Sequence, residues 1–69
     1  MMIVDARGLL CPEPVVRTQR AVKDSPSELI VLVDAEAAKE NVTRFAVSRG
    51  YIVAVKREGA DYTLSLSRA

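Results

Sequence analysis

The sequence predicts an α/β fold: a two-layer sandwich in the order β-α-β-α-β-β, with a four-stranded mixed sheet and two helices on one face. Three observations carry this. Up to Gly50, short runs of branched apolar residues alternate with segments of helical periodicity. The last two strand-like runs are separated only by Glu58-Gly59-Ala60-Asp61, which makes them an antiparallel hairpin. Right-handed crossovers then place both helices on the same side of the sheet, provided the strand order does not reverse.

Each element has its own signal. Ile3 to Ala6 reads as a short strand, followed by a loop at Gly8. A helix is expected from Pro12, because proline is favoured in a first turn whose N–H groups have no intrahelical partner, and Pro14 fits the same turn. Val15, Thr18 and Val22 share one face of it, with Arg17, Arg20 and Lys23 elsewhere. Asp24 to Ser27 ends it, since Pro26 disfavours helical geometry at Ser25. Glu28 to Val33 is a branched apolar run bounded by turn signals, expected as a buried central strand. Asp34 is the expected N-cap of the second helix, with Glu36 near its positive end. Ala38, Val42, Phe45 and Ala46 form its apolar stripe, and Gly50 ends it in a left-handed conformation. Tyr51 to Arg57 is the third strand. Tyr62 to Ser67 is the fourth, with Tyr62, Leu64 and Leu66 alternating against Thr63, Ser65 and Ser67.

The composition excludes several functions. Sixty-nine residues make one domain at most, and one this small buries only roughly 60% of its unfolded surface. Ten Lys and Arg against nine Asp and Glu leave a net charge of +1, with no basic run for a polyanion. With three aromatics there is no platform for base stacking, so nucleic acid is not an expected partner. A lone cysteine cannot staple the chain, which suggests a reducing, cytoplasmic setting. The N-terminus lacks the pattern of a signal peptide, and the longest apolar run is too short to span a bilayer. Without histidine, neither a zinc site nor a Cys–His pair can form within the chain, so no metal or other cofactor is expected.

The chemistry therefore concentrates at RGLLCPEP, residues 7–14. Cys11 falls at or just before the first helix's N-cap, where the dipole and free N–H groups favour negative charge and stabilise a thiolate. The prolines rigidify the turn but remove two donors. Arg7 and Arg17 are candidate electrostatic neighbours that add positive potential, and Glu13 opposes them. The competing reading makes Cys11 a small packed hydrophobe and Gly8 a turn glycine. With no base and no second thiol, the remaining task is to carry a group on sulfur from one partner to another.

At these residues the chain resembles a family. VDARGLLCPEP, followed by a helix, is similar to the signature of the TusA/SirA-type sulfur-carrier proteins, or sulfurtransferases, whose shared core is a Cys-Pro-x-Pro motif at a helix start. The resemblance covers nearly the whole chain. It implies the strand order 1-2-4-3 with the last strand antiparallel to the others. It also implies that Cys11 is the catalytic residue, with Gly8, Pro12 and Pro14 as motif and structural support. ENVTRFAVSRGY, Glu40 to Tyr51, resembles more closely the N-terminal TusA-like domain of YedF-type proteins, linked to selenium metabolism. That domain is normally followed by another, so residues 1–69 are read as a single TusA-like domain, either excised or a stand-alone relative.

The function implied is a persulfide carrier. Cys11 would accept sulfane sulfur from a persulfide donor such as a cysteine desulfurase and pass it to a downstream acceptor protein. If active, it would be a sulfurtransferase-like carrier. The alternative is a non-catalytic interaction or regulatory module. The apolar run Leu29 to Val33 points side chains both ways, which leaves apolar surface on the helix-free face of the sheet. That face would dock a second domain, a twin subunit or a partner, unless it is ordinary surface.

Overall fold

The computed structural model describes residues 2–68. Its elements are β1 (Met2–Asp5), α1 (Glu13–Ala21), a 3₁₀ turn (Val22–Asp24), β2 (Glu28–Val33), α2 (Glu36–Ser48), β3 (Tyr51–Glu58) and β4 (Asp61–Arg68). The sheet order is β1-β2-β4-β3. β1 and β2 are parallel, and β4 runs antiparallel to both β2 and β3. This is the mixed α/β sheet that the sequence implied, in the strand order that the family resemblance implied.

Alternation sorts the sheet into two faces. Leu29, Val31 and Val33 of β2 sit in cross-strand register with Leu66, Leu64 and Tyr62 of β4. All but the half-buried Tyr62 are buried, and Ala38, Val42 and Ala46 of α2 share their core. α1 contributes Pro14 and Thr18, and the 3₁₀ turn that follows it contributes Val22. The hydroxyl of the fully buried Thr18 donates to the Pro14 carbonyl at 2.9 Å, so it adds no unpaired polar group to the core. Val15 and Phe45, expected on the apolar stripes, pack half-buried at its margin.

The other face has no helices. Ile30 and Leu32 lie there beside Ser65 and Thr63, with Ile3 and Ile52 62% and 59% exposed. A shallow depression of about 180 Å³ runs between Ile30 and Ile52 over Ser65 and Ser67.

Several boundaries differ from expectation. β1 occupies Met2–Asp5, although the Ala6 N–H still donates to the Leu32 carbonyl at 2.9 Å. α1 begins at Glu13 with Pro12 as its cap residue and Pro14 in its first turn. Ser25 leaves the helix in a left-handed conformation, φ +50°, directly before Pro26. Gly50 ends α2 as expected, with φ +87° and its N–H on the Val47 carbonyl.

The largest departure is at Asp34. It does not cap α2; the cap residue is Ala35, with no side-chain bond. The Asp34 carboxylate instead accepts the Gly8 N–H at 2.8 Å. A tertiary donor outcompeted the local N–H groups that Asp34 was expected to serve.

Candidate functional site

The loop between β1 and α1 meets the start of α2 at the carboxyl ends of the two parallel strands. In open α/β sheets that edge is where sites are built, because the loops following the strands converge there. The fastening is the bond from Gly8 to Asp34. Gly8 has φ +78°, and no atom lies within 4 Å of where a Cβ would stand. Glycine is required here by backbone conformation and not by lack of room.

A second clasp holds the loop's first residue. The Arg7 guanidinium binds Asp5 through two nitrogens, each at 2.9 Å, and reaches Asp61 at the start of β4 at 3.2 Å. These side-chain bonds, helped by the Arg7 backbone N–H, hold the Asp5 carboxyl well below the usual range, at about 2. The same two carboxylates raise Arg7 further above its already high value. Arg7 is thus committed to Asp5 and Asp61. Arg17 faces Glu13 at 3.9 Å, one helical turn away, so these exposed charges offset each other. Arg7 and Arg17, expected as electrostatic neighbours of the thiol, each have a carboxylate partner.

Beyond the loop, Leu9 packs against the core while Leu10 is 85% exposed. Cys11 follows as an exposed free thiol, joined to Pro12 by a cis peptide bond. The helix start offers few donors. Pro12 and Pro14 have no N–H, and the Glu13 N–H donates to the Leu10 carbonyl at 2.9 Å. The donor to sulfur comes from elsewhere: Asn41 Nδ2, on α2, lies 3.7 Å from Cys11 Sγ.

Sequence reasoning missed Asn41. It stands thirty residues from Cys11 inside an ordinary helical segment, and no spacing rule links them. The one available signal was its type, since asparagine is a poor helix former away from the ends.

The arrangement presents an accessible sulfur at a helix start, held by a fastened loop and touched by one neutral donor. Comparison with known proteins agrees with this chemistry. Residues 2–68 match the model of the family described as Sulfurtransferase TusA. A protein of Methanocaldococcus jannaschii, named as a candidate sulfur carrier, is 38% identical over 60 residues, covering 84% of this chain and 80% of its own. YrkI of Bacillus subtilis, named likewise, is 34% identical over 61 residues, covering 86% and 81%. The crystal structure of a SirA-like protein from Desulfitobacterium hafniense matches with a TM-score of 0.86 at 25% identity, over 97% of this chain and 96% of that one. The fold, the matched span and the relatives lead to one conclusion: the chain belongs to the TusA/SirA-like family of sulfur carriers.

Proposed function

We propose that residues 1–69 act as one unit that relays sulfane sulfur on Cys11. The observation that carries this reading is the exposed thiol on a fastened loop in a chain with no histidine and no second thiol. Such a sulfur can exchange with a partner's persulfide but cannot run a dithiol cycle of its own.

The Cys11 thiolate attacks the outer sulfur of a donor persulfide, such as that on a cysteine desulfurase. The Sγ–S bond forms as the donor's S–S bond breaks. The donor thiolate departs with the electron pair and takes up a proton from water. In the second half, an acceptor thiolate attacks the outer sulfur and Cys11 leaves as thiolate. The outer sulfur moves with no net oxidation. Gly8 and Asp34 hold the loop, Pro12 and Pro14 stiffen the turn behind the sulfur, and exposed Leu10 offers an apolar contact to both partners.

Intact-protein mass spectrometry tests the loading step. The protein is incubated with a cysteine desulfurase and free cysteine, beside a Cys11→Ser control. We expect one added sulfur atom on the wild type alone, removed by reductant. No gain, together with slow alkylation of Cys11, contradicts the relay.

One observation favours the second reading, an interaction module. On the helix-free face Ile3 stands exposed beside Ile30, and Ile52 stands exposed across β4 from it. On that reading Leu32→Glu abolishes function and Cys11→Ser does not. On the relay reading Cys11→Ser is the damaging change.

A further inference from the structure

We propose that Asn41 is the anion donor of the site: its side-chain amide holds the negative charge on the Cys11 sulfur in place of the helix N-terminus. This rests on the reading of Cys11 as the sulfur carrier and names the group that donates to that sulfur.

The start of α1 is poorly equipped for the task. Pro12 and Pro14 lack N–H groups, the Glu13 N–H is used by Leu10, and the Val16 N–H by the Pro12 carbonyl. In the first turn only Val15 keeps an N–H without a backbone partner. Asn41 Nδ2, at 3.7 Å from Sγ, is the side-chain donor that the sulfur receives. A hydrogen bond to the charged form of a group favours that form.

The charged groups nearest Cys11 in the chain, and those flanking Asn41 on α2, are engaged or solvated. Arg7 binds Asp5 and Asp61, Arg17 faces Glu13, and Asp34 holds Gly8. On α2, Glu40 and Arg44 are exposed. A neutral amide keeps its donor at every pH. It also sits on a helix anchored in the core by Ala38, Val42 and Ala46, so a partner that moves the Cys11 loop need not displace the donor's support. Asparagine in mid-helix is a local cost that alanine or glutamate would avoid. A donor role at the thiol accounts for that choice.

The test follows alkylation of Cys11 by iodoacetamide as a function of pH in wild type, Asn41→Ala and Asn41→Asp. The Asp variant differs little in shape from asparagine, so it separates charge and donor from packing. We expect the midpoint of the profile to move to higher pH in Asn41→Ala and further in Asn41→Asp. At neutral pH the Ala variant should slow by about two- to tenfold, the range for one lost hydrogen bond. The plateau at high pH should not fall, since the sulfur stays accessible. Superposed profiles, or a uniform slowing with the midpoint unmoved, overturn the assignment. Iodoacetamide requires no sulfur donor, so the two readings fail separately. Superposed profiles with sulfur loading intact remove Asn41 alone. A shifted midpoint without sulfur loading upholds the donor and removes the carrier.

Discussion

The two helices begin at the same end of the sheet, each directly after one of the parallel strands, and they begin differently. α1 starts on Pro12 and places an exposed thiol just ahead of its first turn. α2 starts on Ala35 and places nothing there, while Asp34 turns away to Gly8. Neither start has a side-chain cap, although a good cap is worth about 1 kcal/mol. The difference shows how the work is divided. The first helix start presents the sulfur. The second gives up its natural cap to fasten the loop that carries the sulfur, and about two turns after Asp34 it contributes Asn41.

Asp34→Ala breaks this division most severely. Losing a charge-assisted bond at an exposed site should cost about 1–2 kcal/mol in urea unfolding, and amide exchange at Gly8 should accelerate. If exchange increased instead at the first amides of α2, Asp34 would be a helix cap after all. Gly8→Ala comes next. With φ +78° and open space around the new Cβ, the cost is backbone strain alone, about 1 kcal/mol. An unchanged urea midpoint would mean that the loop adapts and the turn is not fixed. Ala35→Ser sharpens the comparison from the other side. It supplies the cap that α2 lacks and should stabilise by about 0.5–1 kcal/mol, read as a higher urea midpoint. No gain would show that the start of α2 is already satisfied.

The smallest effect concerns pH. Asp5 has a folded-state value of about 2 against an ordinary 3.8. Its stabilisation is therefore complete above pH 3.8 and is lost as the pH falls through about 2. The pair is solvent-exposed, so the change in urea midpoint over that window should be slight. Asp5→Asn should flatten it, and an identical acid limb in the variant would remove Asp5 from the account.

Most of the architecture was legible because it rests on local signals. The β2 run ELIVLV, the Ala38-Val42-Ala46 stripe and the Leu64-Leu66 alternation each declare their faces, and all of these residues except the outward Glu28, Ile30 and Leu32 are buried. Cys11 was legible as the candidate thiol because Pro12 and Pro14 mark a helix start around it. The surroundings of the thiol were not. Asp34 carries an ordinary capping signal, and only the folded loop brings the Gly8 N–H to it. Arg7 and Arg17 are near Cys11 in sequence, and so is Glu13, one helical turn from Arg17, but Asp61 is fifty-four residues from Arg7 and only the fold brings it there. Asn41 reaches the sulfur across the interface of the two helices, a contact no periodicity encodes.

The most direct test of the relay is discharge. The protein is loaded by a desulfurase, freed of donor and small molecules, and treated with cyanide, which strips sulfane sulfur as thiocyanate. The account predicts one equivalent of thiocyanate per chain, return of the intact mass to its unloaded value, and no release from Cys11→Ser carried through the same steps. Equal thiocyanate from Cys11→Ser, or none from a wild type that gained mass, would show that the sulfur is not held as a persulfide on Cys11.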